Sequence, residues 1–332
     1  MNAKGLFDVA KQTFKEWGED KAPRLGAALA YYTVFSIGPL LVIVIAIASR
    51  VFDNAQDQIV GTIRGVVGEG GGRVIKDTIE NANKGGADII ATIIGIVTLL
   101  LGASGVFGQL KDALNTIWEV KPKPGLGIVN TIKERFFSFT MVLGTGFLLL
   151  VSLVITSAVA AFNDVLKRII PGGDIIGQIV SFLVSLLIVA LMFTLLFKFL
   201  PDVKITWGDV WIGGLVTAIL FMLGQFALAF YLSSGSVGES FGAAASFVII
   251  LVWIYYSTQI LFLGAEFTQV YTNKYGSHVR PEENAEFVTE DARAQEGMPR
   301  KEGEDSTEQG KQKGGSDRSP RGKLLKASPW FK

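Results

Sequence analysis

Long stretches without a charged residue alternate along the chain with shorter segments that carry the charges. Every one of these stretches exceeds the about 20 residues that a helix needs to cross a hydrocarbon core of about 30 Å. Charged residues flank each stretch, as expected where a helix leaves a membrane. The pattern predicts six transmembrane helices, at residues 25–49, 89–110, 136–163, 175–197, 210–238 and 240–265.

Composition strengthens this prediction and limits the chemistry. Hydrophobic residues make up 49% of the 332 residues and charged residues only 18%, which favours an all-α membrane protein, a six-transmembrane-helix bundle. There is no cysteine and one histidine, His278, so disulfides are excluded and a metal site with Cys or His ligands is disfavoured. We find no P-loop and no Ser/His/Asp set, and we expect no enzyme activity, cofactor or metal.

Lysine and arginine are unevenly divided between the two sides of the predicted bundle. One side holds 24 of the 31 Lys and Arg residues. The positive-inside rule therefore predicts a multi-pass membrane protein with both termini in the cytoplasm. The segments on this side are 1–24, 111–135, 198–209 and 266–332.

Two regions outside the spans have patterns of their own. Residues 50–88 contain two short apolar helical faces separated by "GEGGGR", which predicts a helical hairpin at the outer surface. Residues 276–332 are rich in Gly, Ser and charged residues, so we predict a disordered cytoplasmic tail after a membrane domain at 1–275. The basic end of the tail, 311–332, is either an anchor to anionic lipid or a solvated segment.

The segment before the first span has an amphipathic pattern. Leu6, Ala10, Phe14 and Trp17 fall on one face of a helix, with most of the charges off that face. Two interpretations remain open. The helix lies on the membrane surface, or it packs against the protein's own loops.

The first span carries polar residues and a proline in its middle, in the stretch "AYYTVFSIGPLL" at 30–41. Tyr32, Ser36 and Pro39 fall on roughly one helical face, and Tyr31 adjoins it. In a membrane a proline kink is tolerated because neighbouring groups satisfy the freed carbonyl. The stripe either lines a cavity between helices or fits a kink against neighbouring helices.

A second polar stripe lies in the last span. Tyr255 and Gln259 are four residues apart, and Glu266 follows seven residues later. Gln225 is a further uncharged polar group within the fifth span. These side chains either face the same cavity or form interhelical hydrogen bonds, each worth roughly 1 kcal/mol.

Glu266 is the acidic residue at the end of the last predicted span. Charged groups at such positions are either interfacial anchors or functional groups. Because Glu266 falls near the predicted cytoplasmic boundary, we expect its carboxylate to pair with a cation from another helix end. The candidate cations are Arg24, Arg135 and Lys198.

Four segments together resemble the YihY/virulence factor BrkB family of bacterial inner-membrane proteins. They read "AALAYYTVFSIGPLL" (27–41), "LNTIWEV" (114–120), "KFLPDVKITWGDVWIGGL" (198–215) and "WIYYSTQILFLGAEF" (253–267). The resemblance runs from about residue 10 to 275 and implies six transmembrane helices with cytoplasmic termini. The signature positions it marks are Ala30, Tyr31, Ser36, Pro39, Leu40, Asn115, Trp118, Pro201, Gly264, Ala265 and Glu266.

The family's former ribonuclease label does not suit these residues. The chain lacks cysteine and an acidic cluster for a two-metal site, and its net charge of +1 gives no electrostatic basis for binding nucleic acid. The polar stripes instead favour a protein that moves or binds a lipid-like or small amphipathic molecule in a cavity between helices. The expected partners are therefore that molecule and the membrane lipids. The alternative is an envelope scaffold or regulator without transport activity.

Overall fold

The computed structural model describes residues 3–48, 105–124, 173–233 and 245–299, with isolated positions between 57 and 159. These residues are mostly helical. The predicted spans at 89–110 and 136–163 and the predicted hairpin at 50–88 lie largely outside them. The structure therefore describes most of the first, fourth, fifth and sixth predicted spans.

The chain begins with two helices separated by a tight turn. Helix α1 covers Ala3–Glu19 and helix α2 covers Ala22–Ala48. Lys21 sits between them with φ 54°, and its backbone N–H donates to the Gly18 carbonyl at 3.2 Å. A left-handed residue of this kind is a common way to end a helix. Helix α2 includes Pro39 and matches the predicted first span closely.

A short helix and a strand follow in the next described part. Residues 105–117 form helix α3, which ends in a turn where Glu119 has φ 56°. Strand β1, Val120–Pro122, comes directly after this turn.

Three long helices form the main described part of the bundle. They are α4 (Gly173–Phe199), α5 (Trp207–Ser233) and α6 (Ala245–Tyr275). Each contains a segment long and apolar enough to cross a membrane, at Ile175–Phe199, Trp207–Leu228 and Phe247–Tyr275.

The last helix differs most from its predicted span. It ends at Tyr275, ten residues beyond the predicted end at 265. Several polar residues of this extension are buried, with Thr268 and Thr272 both 0% exposed, whereas Asn273 and Lys274 near its end are exposed. The sequence pattern missed the extension because it marks membrane spans by their lack of polar residues, whereas protein neighbours cover these polar groups.

Two small antiparallel sheets join the connecting segments. Strand β1 pairs with β4, Ala285–Phe287. Strand β2, Val203–Lys204, lies between α4 and α5 and pairs with β3, Arg280–Pro281. The segment after α6 therefore returns along the ends of α3, α4 and α5.

This segment corrects the predicted boundary of the disordered tail. Residues 276–288 are folded: Val279 and Ala285 are buried, and the Val288 N–H donates to the Glu119 carbonyl at 2.8 Å. The low hydrophobicity of the segment was misleading, because strand partners elsewhere in the chain satisfy its backbone. Residues 300–332 lie outside the described part.

Thr289–Lys332 form a separate unit, of which the described portion also contains a helix. Helix α7 covers Glu290–Gln295. The Thr289 hydroxyl caps it by accepting a hydrogen bond from the Ala292 N–H at 3.3 Å. The acids Glu290 and Asp291 occupy its first turn, where the helix dipole favours negative charge.

Helix α6 is the centre of the described bundle. It packs against α1, α2 and α5, and α5 packs in turn against α4. The largest buried cluster joins these helices to α3 and includes Trp118, Phe197 and Phe262. The polar candidates are therefore best described through the interfaces of α6.

Candidate functional site

Helices α5 and α6 meet through a reciprocal pair of glycine and threonine residues. Gly213 of α5 lies against Thr268 of α6, and Gly264 of α6 lies against Thr217 of α5. A Cβ atom on either glycine would overlap the side chain of the facing threonine. Glycine at both positions therefore allows the two helices to approach this closely.

The threonine hydroxyls in this interface are fully satisfied. Thr217 Oγ1 donates to the Gly213 carbonyl at 2.7 Å, and Thr268 Oγ1 donates to the Gly264 carbonyl at 2.6 Å. Each bond closes on the threonine's own helix, four residues back. The Cβ atoms of Thr268 and Thr217 themselves lie 2.7 Å from where a Cβ would stand on the facing glycine, so rotation of either threonine would not make room for one.

Helices α2 and α6 also meet at a glycine, but the side chain opposite it is different. Gly26 of α2 lies against the Gln259 amide of α6, which a Cβ at Gly26 would overlap. Ala30, one turn further along α2, packs with Ile250 and Ile254. Neither Gln259 Nε2 nor Oε1 has a hydrogen-bond partner among the described residues.

The other predicted polar residues of α2 have different surroundings. Tyr31 and Tyr32 are 61% and 46% exposed, and their rings meet edge to face at 5.9 Å. Ser36 is 3% exposed and donates to the Thr33 carbonyl at 3.1 Å. Pro39 lies within the helix, and its side chain is outside the described part.

The structure brings the two predicted stripes onto neighbouring helices. Tyr255 is half-buried beside the small cluster around Ala30, and Gln259 lies one turn away on α6. Gln225 is half-buried on α5, whose main described partners are α4 and α6. The polar groups of α2 and α6 are thus adjacent, whereas Gln225 lies on a third helix.

Asn115 belongs to a different network, at the end of the bundle where the chain carries its charges. Its Nδ2 donates to Asp202 Oδ2 at 2.9 Å, and its Oδ1 accepts from the Asp202 N–H at 2.8 Å. Lys111 Nζ lies 2.9 Å from Asp202 Oδ1. This network fixes α3 to the α4–α5 link and is structural in character.

A second carboxylate joins the ends of α5 and α6. Asp209 Oδ2 accepts from the Ser277 N–H at 3.0 Å, the Ser277 hydroxyl at 2.8 Å and the Thr206 hydroxyl at 2.8 Å. Asp209 is 9% exposed, so these three hydrogen bonds replace most of those that water would otherwise donate to the carboxylate. The contact reinforces the same interface as the glycine–threonine pairs.

Glu266 is 0% exposed, deeper than a simple interfacial anchor would be. Of the three cations proposed for it, Lys198 donates to the Ile205 carbonyl and lies 5.6 Å from the centre of the Trp207 ring. Arg24 is exposed, and Arg135 lies outside the described residues. The pairing of Glu266 with a cation stays a prediction.

Sequence reasoning missed three important groups: Asp202, Asp209 and the two threonines. A signal for the threonines was present, since both helices carry Gly-xxx-Thr, at Gly213 and at Gly264. Only the antiparallel register of α5 and α6 shows that the two motifs face each other. Among the described residues, no group of three Asp, Glu, His or Cys side chains is placed to hold a metal ion.

Comparison with known proteins places these features in a family. Residues 13–288 match the sequence model of the family described as virulence factor BrkB. A "UPF0761 membrane protein" of Halorhodospira halophila is 30% identical over 256 residues, which cover 76% of this chain and 54% of that protein. One from Mannheimia succiniciproducens is 28% identical over 276 residues, covering 80% of this chain and 88% of that protein.

The extent of the matches varies between relatives. The chain spans about half the length of the first curated relatives, with 54% coverage in Halorhodospira halophila and 48% in a Psychrobacter protein that is 28% identical. No solved structure matches the chain.

Proposed function

The chain belongs to the virulence factor BrkB family and is an integral membrane protein, and we propose that it binds an amphipathic, lipid-like molecule between α2 and α6. The proposal includes movement of that molecule within the bacterial inner membrane. The observation that carries it is the Gln259 amide, which is enclosed at the α2–α6 interface without a hydrogen-bond partner among the described residues.

A buried amide without a hydrogen-bond partner lowers the stability of the folded protein, unless another conformation or a ligand supplies that partner. A buried donor or acceptor left unsatisfied costs about 1–3 kcal/mol. Lipid tails offer no hydrogen bonds, so a membrane does not relieve this cost. A molecule with a hydroxyl, phosphate or amide headgroup would satisfy Gln259 if it entered where α2 separates from α6.

The surroundings of Gln259 suit an amphipathic molecule. Tyr31 and Tyr32 present aromatic faces on the exposed side of the same α2 helix. Tyrosine rings combine an apolar body with a polar tip, as required where an acyl chain meets a headgroup. Ile250 and Ile254 supply apolar surface on α6.

The packing of α2 is compatible with the separation that such binding requires. Small side chains, Gly26 and Ala30, form part of the α2 contact with α6, beside the larger Leu29 and Val34. The facing Gln259 is flexible, whereas the threonines of the α5–α6 interface are held in place. We therefore assign movement to α2, with α5 and α6 as the fixed part.

The test is the lipid content of the purified protein in nanodiscs. A photoreactive residue at Tyr32 is expected to crosslink a lipid-like molecule, and mass spectrometry identifies it. Gln259→Leu removes the polar contact and keeps the volume, so we expect it to reduce crosslinking severalfold. Gln225→Leu is the matched control, because it makes the same change in α5, and it should leave crosslinking unchanged.

Equal crosslinking in both variants and the unaltered protein would contradict the proposal. The same result would favour the alternative of an envelope scaffold or regulator. Movement is tested separately, with fluorescent phospholipids in vesicles that contain the protein. Equal rates of transfer between leaflets with and without protein would rule out movement of phospholipids.

A further inference from the structure

Helix α1 presents one buried face to the bundle. Val9 is 0% exposed and packs with Phe267 and Val270 of α6. Thr13, four residues later on the same face, is 3% exposed. Helix α1 thus packs against α6 and not against a loop, and it does so through a face other than the predicted apolar one, of which Leu6, Ala10 and Phe14 are exposed.

The same helix has a second apolar face that the described bundle leaves exposed. Phe7 is 70% exposed and Phe14 is 62% exposed. Residues seven apart lie about 20° from each other around a helix, so the two rings form one stripe. Leu6, 50% exposed, borders it. Full burial of a phenylalanine side chain is worth about 1.5–3 kcal/mol, so this stripe favours contact with an apolar phase.

Cations and acids are separated around α1. Lys4, Lys11 and Lys15 lie within roughly 80° of Phe7 on one side, by the helical periodicity of about 100° per residue. The acids Asp8 and Glu19 follow at about 100° and 120° from Phe7, and both have partners. Asp8 is 3.9 Å from Lys274, and Glu19 is 3.6 Å from Lys15. The side next to the aromatic stripe is therefore positively charged.

The height of α1 along α6 matches the headgroup layer of a membrane. The candidate span Phe247–Tyr275 has 29 residues, which make a helix about 43 Å long. This length is close to the about 40–45 Å of a bilayer with its headgroups. Because α1 contacts Val270 and Lys274, it lies beside the final turns of the span.

We propose that α1 docks on anionic lipid headgroups with this exposed face. Phe14 enters the boundary between headgroups and acyl chains, and Phe7 lies further out in the headgroup layer. Lys4, Lys11 and Lys15 contact lipid phosphates. Apolar side chains beside cations are the combination that anionic membrane surfaces bind. The inference concerns the membrane surface and stands independently of the ligand proposed between α2 and α6.

The absence of cysteine permits a direct measurement on the full chain. A nitroxide spin label is attached at Phe14→Cys or, as a control, at Gln12→Cys, which is exposed on another side of α1. Both proteins are studied in nanodiscs of phosphatidylcholine with about 30% phosphatidylglycerol, whose anionic headgroups create the negative surface potential that attracts cations. We expect the Phe14 label to be shielded from a water-soluble nickel chelate and the Gln12 label to be accessible.

The charge requirement is tested by Lys→Gln changes at Lys4, Lys11 and Lys15. Each is expected to lower the ratio of docked to undocked α1 about fivefold, which corresponds to about 1 kcal/mol per cation. Lys204→Gln is the control, since that lysine is 58% exposed but lies in strand β2. Equal nickel accessibility of the Phe14 and Gln12 labels would overturn the proposal. So would shielding that does not depend on phosphatidylglycerol or on the lysines, because a protein partner or a second copy would then cover the face.

Discussion

The two glycine-based interfaces of α6 differ in the side chain that faces the glycine. At the α5–α6 interface the facing residues are Thr217 and Thr268, which are β-branched and hydrogen-bonded to their own helices. At the α2–α6 interface the facing residue is Gln259, whose amide lacks a hydrogen-bond partner among the described residues. Both interfaces allow close helix contact, but only the first has all of these polar groups satisfied.

The difference indicates that close contacts at glycine can be either fixed or replaceable, depending on the side chain opposite the glycine. A glycine opposite a rigid, satisfied side chain produces a fixed contact. A glycine opposite a flexible, unsatisfied side chain produces a contact that another hydrogen-bonding group can replace. We therefore expect substitutions at the α5–α6 interface to lower stability more than equivalent substitutions at the α2–α6 interface.

The largest effect is expected for Gly264→Leu. The new side chain would overlap Thr217, and rotation of the threonine would not relieve the overlap because the Thr217 Cβ itself lies 2.7 Å from the added Cβ. Overpacking of this kind costs about 1–3 kcal/mol and occasionally more, and here we expect about 3 kcal/mol or failure to fold. Thermal unfolding of the purified protein in detergent measures it.

Gly208→Ala provides the control for that substitution. Nothing lies within 4 Å of a Cβ atom at Gly208, in the first turn of α5. Alanine should therefore be neutral or stabilise the helix by up to about 1 kcal/mol. If Gly264→Leu were as stable as this control, the α5–α6 interface would not be the fixed contact described.

A smaller loss is expected for Asp209→Ala, which removes the second contact between α5 and α6. Three donors from Ser277 and Thr206 would lose their charged acceptor. Since hydrogen bonds to charged groups contribute about 1.5–3 kcal/mol, we expect a loss of about 2 kcal/mol after partial compensation by water. Glu283→Ala, at a side chain 90% exposed, should change stability by no more than about 0.5 kcal/mol. Equal stability of the two variants would show that Asp209 does not join the helices.

The sequence predicted the helices better than the contacts between them. Apolar runs marked α2, α4, α5 and α6, because a helix surrounded by lipid must be apolar over its whole length. The strands were missed, since elements of two or three residues have no periodicity. Their partners lie far along the chain, as Val120 and Phe287 show.

The candidate site was predicted in a similar, partial way. Gln259 was identified because polar residues are conspicuous in apolar segments, and Asn115 because the family resemblance marks it. Their partners, Gly26 and Asp202, were not, because glycine carries no chemical signal and Asp202 falls in a charged link. Only the three-dimensional structure shows which residues face each other. Sequence periodicity assigns a residue to a face of its helix but does not identify the residue opposite it.

The direct comparison between the interfaces is Gly26→Ala. A Cβ atom here would meet the end of the Gln259 side chain, which can rotate away. We expect a loss of no more than about 1 kcal/mol, whereas Gly264→Ala forces a backbone shift and should cost more. Thermal unfolding of the two alanine variants under identical conditions gives the comparison. An equal loss in both would remove the distinction between a fixed and an adaptable interface.

The smallest effect, and the one of opposite sign, is expected for His278→Gly, just beyond the Asp209 contact. His278 has φ 57°, a left-handed conformation that costs a non-glycine residue about 1–2 kcal/mol. Glycine removes that cost, but it also raises the conformational entropy of the unfolded chain, which opposes folding. A net stabilisation of about 0.5–1 kcal/mol should remain. The neighbouring Gly276→Ala should destabilise, because its Cβ would lie 2.6 Å from Asp209 Oδ2. Thermal unfolding distinguishes the two. A loss of stability in His278→Gly would show that the imidazole makes a contact that outweighs the backbone strain, and that the end of the α5–α6 interface depends on it.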